Sequence, residues 1–396
     1  MMSWLTQILS VTTMNLKSLP QRLAPSVVAI IGVGAVVGVF AGVLSMASGF
    51  EKTMLAAGSE QSAIAIRAGS SGELSSGIGN DQAQLIANAP GVLRDDDGPV
   101  VSAELYVLVD IAKRSNNQEA NVPLRGVQAG AFKVRDNVSI VEGRTFEPGK
   151  NELIVGRAAQ QEFIGLEVGG VIPFGLTEWT VVGAFAANGS VSESELWTDV
   201  RVLQSIYRRG NSFQSVRVKL ESPNAIETFE QALKDDPRVE TDVYSEKTFY
   251  SQQSENLAQF IRLVGYPITI LMAIGAIFGA LNTMYSSVSA RGKEIATLRA
   301  LGFGPLSILT STIIESAALA VLGGILGGGL AWLFLNGYTV STLNGPSFSQ
   351  VVFDFAVTPD LLADGLVAAI IIGLVGGLFP AIRAVRIPVS AALREL

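Results

Sequence analysis

The sequence predicts an α-helical membrane protein with four transmembrane helices. A large α+β domain outside the cytoplasm is inserted between the first helix and the second. Three observations lead there. Four long apolar runs stand in a chain of 396 residues. Only 16% of the residues are charged and 48% are hydrophobic, with a mean hydropathy of +0.40, whereas a soluble domain is about a quarter charged. Most of the charge lies in one block, from Glu51 to Arg262.

Leu23 to Phe50 carries no charge. A helix of that length reaches about 42 Å, more than the roughly 30 Å hydrocarbon core. Leu263 to Ala290 is equally free of charge, Leu306 to Leu335 holds one acid, Glu315, and Gly365 to Ile382 borrows a turn from Asp360–Asp364. The expected spans are residues 25–50, 263–290, 305–336 and 361–382. The first run reads as an uncleaved anchor, because it begins well inside the chain and is about twice the length of a signal-peptide core. Before it, residues 1–24 place Trp4, Leu5, Ile8, Leu9, Thr12, Leu16 and Leu19 near one helical face. That spacing suits a helix lying in the membrane interface, against lipid.

Basic residues set the orientation. Lys17, Arg22, Arg291, Lys293, Arg299, Arg383, Arg386 and Arg394 fall on the N-terminus, the 291–304 loop and the 383–396 tail, while the 337–360 loop has no Lys or Arg. Both termini and the 291–304 loop are therefore expected in the cytoplasm, and residues 51–262 outside it.

That block reads as a mixed α+β domain of two lobes, standing on two membrane helices. Strands are expected at Ser62–Arg67, Val100–Ile111, Glu152–Val155, Thr180–Phe185 and Gln214–Leu220. Helices are expected at Asp81–Ala89, Arg157–Phe163, Val200–Arg208 and Asn224–Lys234, with Asn224 as a side-chain N-cap. Gly69–Asn80 reads as a flexible loop.

Much chemistry is excluded. The chain has no Cys and no His, so disulfides, histidine metal sites and His-dependent triads are absent. A net charge of −7 with no basic tract argues against a nucleic-acid partner. No P-loop occurs, since Gly149-Lys150 is followed by Asn151. Asp95-Asp96-Asp97 reads as a solvated turn rather than a calcium site, and Glu193 and Glu195 are read the same way. The chain is expected to be a non-catalytic subunit with no cofactor or metal of its own.

The apolar runs carry a packing pattern instead. Gly34, Gly38 and Gly42 recur at spacing four, as do Gly275 and Gly279, Gly323 and Gly327, and Gly373 and Gly377. Such strips let helices approach closely, and at least one is expected to be free for another subunit. Glu315 is expected to be a neutral carboxyl hydrogen-bonded across helices, a proton relay being the alternative.

Between the second and third runs stands Ser289-Ala290-Arg291-Gly292-Lys293-Glu294-Ile295-Ala296-Thr297-Leu298-Arg299-Ala300-Leu301-Gly302. Ile295, Leu298 and Leu301 share a face, and Gly302 is placed to end a helix. This stretch resembles the signature of the FtsX-like, MacB-type permeases of ATP-binding-cassette transporters. In that family it implies a cytoplasmic coupling helix whose Arg291, Lys293, Glu294, Ile295, Thr297, Leu298, Arg299, Leu301 and Gly302 dock on the ATPase subunit. Glu315-Ser316 with Gly323-Gly324 and Gly327 is similar to the family's third helix, and Pro380 to Arg394 to its C-terminal ending. Glu142-Gly143-Arg144, Glu152 with Val155 to Ala159, Thr180 to Gly183 and Gly189 to Asp199 resemble its periplasmic core domain.

The resemblance implies a permease of a type VII transporter in a bacterial inner membrane. ATP and Mg are expected on a separate ATPase chain, because only about two dozen residues precede the first run. A second permease copy or paralogue is implied, and an adaptor and outer-membrane channel fit the efflux reading. Lipoprotein extraction of the LolCE kind and an FtsX-like signalling scaffold remain as alternatives.

Overall fold

The computed structural model describes residues 4–18, 23–174, 177–345 and 347–386, without the side chains of Leu16, Ala24 and Pro25. Leu19, Arg22 and the ending from Pro388 through Ala392 and Leu393 to Arg394 lie outside the described residues. In chain order, α1 (Trp4–Ser18) and α2 (Leu23–Leu55) lead to β1 (Ser62–Arg67), α3 (Asn80–Ala87), β2 (Arg94–Asp95) and β3 (Gly98–Pro99). There follow β4 (Val101–Ala112), β5 (Glu119–Val127), α4 (Ala131–Val134), β6 (Ser139–Gly143), β7 (Glu152–Gly156) and α5 (Arg157–Glu162). Then come β8 (Val171–Phe174), β9 (Thr177–Ala186), β10 (Leu196–Asp199), α6 (Val200–Ile206), β11 (Ser215–Lys219), α7 (Ala225–Lys234) and β12 (Thr241–Ser245). The chain continues with α8 (Glu246–Ala290), α9 (Gly292–Ala300), α10 (Pro305–Leu335), β13 (Thr339–Asn344), β14 (Ser349–Asp354) and α11 (Pro359–Arg386). It divides into two compact units, residues 1–48, 260–338 and 355–396 in one, 49–259 and 339–354 in the other.

Among the described residues, α2, α8, α10 and α11 are the helices long and apolar enough to cross a membrane. Their ends differ from the expected ones. α2 runs on to Leu55, and α8 begins at Glu246 rather than at residue 263. No helix breaker separates the polar turns of 246–262 from the apolar run, and Ser245 Oγ accepts the Thr248 amide at 3.1 Å to start the helix early.

The glycine strips pack as backbone contacts. α2 and α10 cross where Gly34 meets Gly323 and Gly327, so closely that a Cβ on Gly327 would lie 2.1 Å from the Gly34 carbonyl oxygen. Gly38 and Gly42 continue the strip more loosely, toward Gly327 and Leu335. On α11, Gly373 and Gly377 face Ala320 and Ser316 of α10, and Ser316 Oγ donates to the Gly373 carbonyl at 2.8 Å. Gly275 and Gly279 have open space where a side chain would stand. Gly327→Ala is expected to destabilise the membrane unit by about 1–3 kcal/mol through overpacking, whereas Gly329→Ala, which meets no neighbour, changes little. Thermal midpoints in detergent check the pair.

In the second unit the strands follow the path β12-β1-β11-β4-β5-β10-β7-β9-β6, with β8 beside β9. The path is continuous because β4 changes partner along its length and so links two half-sheets. Val101–Glu104 pair with β11 and Leu105–Ala112 pair with β5. One face carries the apolar core, including Leu105, Val107, Leu124, Leu153, Trp179 and Val216. The 337–360 segment, expected as a plain loop, holds the β13–β14 hairpin. Val352 N–H donates to Ser194 Oγ at 2.9 Å and Tyr106 Oη bonds Ser349 Oγ at 3.1 Å, so the hairpin belongs to this unit. Asn224 does precede α7, but its side chain makes no capping bond. Asp199, which sequence reasoning passed over, caps α6 by accepting the Arg201 amide at 2.8 Å. Within the expected flexible loop 69–80, Glu73–Ser75 form a turn of 3-10 helix and Glu73 is buried.

Candidate functional site: the 291–302 helix and the buried ion cluster

Arg291 stands at the N-cap position of α9, and the helix ends in a Schellman turn. Gly302 N–H donates to Arg299 O at 3.1 Å and Phe303 N–H to Leu298 O at 3.1 Å, with Gly302 at φ +92. That left-handed conformation is the one that favours glycine at the end of a helix.

The residues of this segment divide into two sets. Ile295 is buried with Val288, Ile308 and Ala384, so it belongs to the packing of the unit and not to an exposed face. Leu298 is half-buried. Arg299 donates to the Val385 carbonyl at 3.0 Å. Lys293, Glu294, Thr297 and Leu301 are exposed, Leu301 at 73%. The exposed face is therefore built on Thr297 and Leu301, because α9 rolls Ile295 against α10 and α11.

Arg291 is 5% exposed and faces inward too. Its Nη1 lies 2.8 Å from Glu315 Oε2, an ion pair buried on both sides. Its Nη2 donates to Ser18 Oγ of α1. The expected hydrogen bond of Glu315 across helices is present, and the partner that the expectation did not name is the Arg291 guanidinium, reached from the loop side. α1 is held here as well. Asn15 Nδ2 donates to Ser311 Oγ at 2.8 Å, and Gln7 Oε1 accepts the Gly304 amide at 3.1 Å. Val11 and Asn15 face the protein, while Leu5 and Leu9 are exposed, leaving α1 with an apolar outer face.

Two families match this chain. The FtsX-like permease C-terminal family covers residues 267–389, and the MacB-like periplasmic core domain covers residues 26–236, more than half of the chain. The chain belongs to the MacB-type, FtsX-like permease family. Curated relatives include a macrolide export ATP-binding/permease protein MacB of Pasteurella multocida, 25% identical over 73% of this chain and 45% of that protein. MacB 1 of Aeromonas hydrophila is 25% identical over 92% of this chain and 57% of its own. The chain thus spans about half the length of the curated relatives it matches. Among solved structures, the periplasmic region of MacB from Actinobacillus actinomycetemcomitans aligns with a TM-score of 0.37 at 15% identity, over 50% of this chain and 93% of that one.

In this MacB-type permease the core-domain region contains a cluster that sequence reasoning missed. Arg125 donates to Glu195 at 2.7 Å, to Glu73 at 2.7 Å and to Glu104 at 2.9 Å, and stacks over the Tyr106 ring. Arg135 bonds both oxygens of Glu104 at 2.7 and 2.8 Å. Arg217 reaches Glu73, Glu104 and Glu246, the first residue of α8. All of these side chains are buried. Glu195 also accepts the Trp197 indole N–H at 2.7 Å, and Glu193 accepts the amides of Ala187 and Gly189 at 2.7 Å each. The reading of Glu193 and Glu195 as a solvated turn is therefore corrected: both are buried and hydrogen-bonded within the unit. The Asp95–Asp97 turn is exposed as expected, with Lys133 bridging Asp95 and Asp97.

Burial pushes the Glu104 carboxyl up, but Arg135, Arg125 and Arg217 outweigh it and hold it at about 2. Glu73 is likewise pushed up by burial and held well below the usual range by Arg125 and Arg217. A carboxylate with a depressed folded-state pKa stabilises fully above its ordinary value of 4.5 and loses that contribution as pH falls through the folded value. The thermal midpoint of the full chain is accordingly expected to drop between pH 4.5 and about 2, read by near-UV circular dichroism. A flat profile across that window would contradict the buried ionised cluster.

Proposed function

We propose that this chain is the permease subunit of an ATP-binding-cassette transporter. In this reading it couples ATP hydrolysis on a partner ATPase subunit to conformational change in its α+β domain, for export from a bacterial inner membrane. The chain itself is non-catalytic, and ATP and Mg bind to the partner. The excess of basic residues on the 291–304 loop and near the ends favours a cytoplasmic α9 and an α+β domain on the opposite side.

The observation that carries the reading is the exposed face of α9. A short helix between two membrane spans, held rigidly from inside by Ile295 and Arg291, presents Thr297 and the 73% exposed Leu301 outward. An exposed apolar anchor on a rigid helix suits a protein partner. The open Gly275 and Gly279 strip on α8 favours a second permease copy or paralogue as a further partner.

The test is Leu301→Asp. The side chain packs against little, so folding is expected to be unchanged, while a charge at the centre of an apolar contact removes a hot-spot interaction of about 2 kcal/mol or more. Co-purification with the ATPase subunit should fall more than tenfold, and coupled ATPase activity with it. Undiminished co-purification would remove α9 from the interface. Leu298→Asp is a poorer probe, because half-buried Leu298 contributes to packing within the chain.

A further inference from the structure

The second unit carries an open cleft that the coupling reading does not use. Its volume is about 650 Å³, within the range of roughly 300–1,000 Å³ found for small-molecule sites. α6 and the turn that ends it form one wall and carry Arg201 and Arg208. Arg201 stands in the first turn of α6 and Arg208 just past its C-cap, Tyr207, and both line the cleft. Phe213 and the amide side chains of Asn80, Gln128 and Asn211 complete the lining.

Three observations set this cleft apart from an ordinary solvated surface. No acidic residue lines it, although the chain as a whole is acidic at −7. Among the described residues neither guanidinium has a carboxylate partner, like those of Arg67, Arg157 and Arg209 on the same unit and unlike the acid-paired Arg114, Arg144 and Arg238. The third is backbone conformation. α6 ends in the same Schellman pattern as α9, with Arg208 N–H on Ser205 O and Arg209 N–H on Gln204 O. Where α9 places Gly302, α6 places Arg208 at φ +52. An arginine is strained there, and glycine is the residue that fits. Strain of this kind gathers at ligand sites.

The Gln128 amide is oriented as well. Its Oε1 accepts the Ala103 amide at 3.0 Å, which leaves its NH₂ as an unused donor. The cleft thus offers two guanidinium forks and several amide donors and no negative charge, which is the chemistry that recognises carboxylate and phosphate groups.

We propose that this cleft binds an organic anion, a phosphate ester or a carboxylate, held between Arg201 and Arg208. The test uses the full chain in detergent, with glycerol 3-phosphate and citrate as probes and sodium chloride balancing ionic strength. At least one probe should bind saturably by calorimetry, and the preferred one identifies the anion as phosphate or carboxylate. Arg201→Gln and Arg208→Gln should each weaken that binding at least tenfold. Arg208→Gly should abolish it while raising the thermal midpoint of the unliganded protein, since glycine relieves the left-handed position. A purely structural Arg208 would give the opposite shift in midpoint. Failure of both probes to bind saturably, or equal binding by wild type and the Gln variants, overturns the proposal. Neither result bears on the α9 interface, which is read by ATPase co-purification.

Discussion

Arg125→Met is expected to lower the thermal midpoint of the full-length protein by about 10 °C or more, or to prevent its accumulation. Arg125 is 1% exposed and stands between Glu73, Glu104 and Glu195, which all lie within 3 Å of its nitrogens. Removing one partner of a buried ion pair costs about 3–5 kcal/mol, because the remaining charge is stranded away from water. Here three carboxylates lose a partner at once: Arg135 and Arg217 still reach Glu73, Glu104 and Glu246, but Glu195 loses its arginine. For a unit of this size each kcal/mol moves the midpoint by about 2–4 °C. Arg125→Lys should fall between, keeping the charge but losing the fork that bonds two carboxylates together. Arg114→Ala, which breaks an exposed pair with Glu167, is expected to change stability by only about 0–1 kcal/mol. A melting curve for Arg125→Met that overlays wild type would mean that water reaches the cluster.

Much of the architecture could be read before any coordinates. Long charge-free runs can satisfy their backbone only as helices in lipid, so the four spans followed from length and composition. Their ends did not, because nothing in an apolar count marks where a helix continues in water, as α8 does from Glu246 to Arg262. The ion cluster was hidden for a different reason. On β4, Ser102, Glu104 and Tyr106 alternate with Ala103, Leu105 and Val107, and alternation of that kind ordinarily means a solvated face. The neighbouring strands carry matching polar residues at the positions that face it, Ser215 opposite Glu104 and Arg125 opposite Tyr106. Opposite charges on one face of three adjacent strands were the available signal, but pairing and register must be known before it shows. The hairpin escaped notice because Thr339-Val340-Ser341-Thr342 is polar, and only its partner Val351-Val352-Phe353 is buried. In α9 the pattern located the helix and its glycine stop. The face that turns outward was not decided by it, since Ile295, Leu298 and Leu301 are equally apolar and only their neighbours distinguish them.

Glu315→Leu should strongly destabilise the membrane unit, by about 3–5 kcal/mol, since Arg291 would be left as a buried cation without its carboxylate. Arg291→Met should cost a similar amount for the converse reason. Glu315→Gln falls between, because its amide oxygen still accepts a bond from Arg291 but leaves the charge uncompensated. The double variant Arg291→Met with Glu315→Leu is the informative one. Replacing a whole buried pair by apolar side chains of similar volume is often neutral, so most of the stability lost in either single variant should return. Its coupling should not return. Arg291 ties the start of α9 to α10 through Glu315 and to α1 through Ser18, and methionine can replace the packing but not the directed bonds. Under the proposed coupling function, the double variant is therefore expected to fold and to keep an ATPase subunit that docks at Leu301, yet to hydrolyse ATP with little accompanying transport. Measuring stability in detergent alongside transport per ATP hydrolysed separates the two roles. Restored stability with wild-type transport per ATP would reduce the Arg291–Glu315 pair to a packing element, and the hold on α9 would then rest on Ile295 and its apolar neighbours.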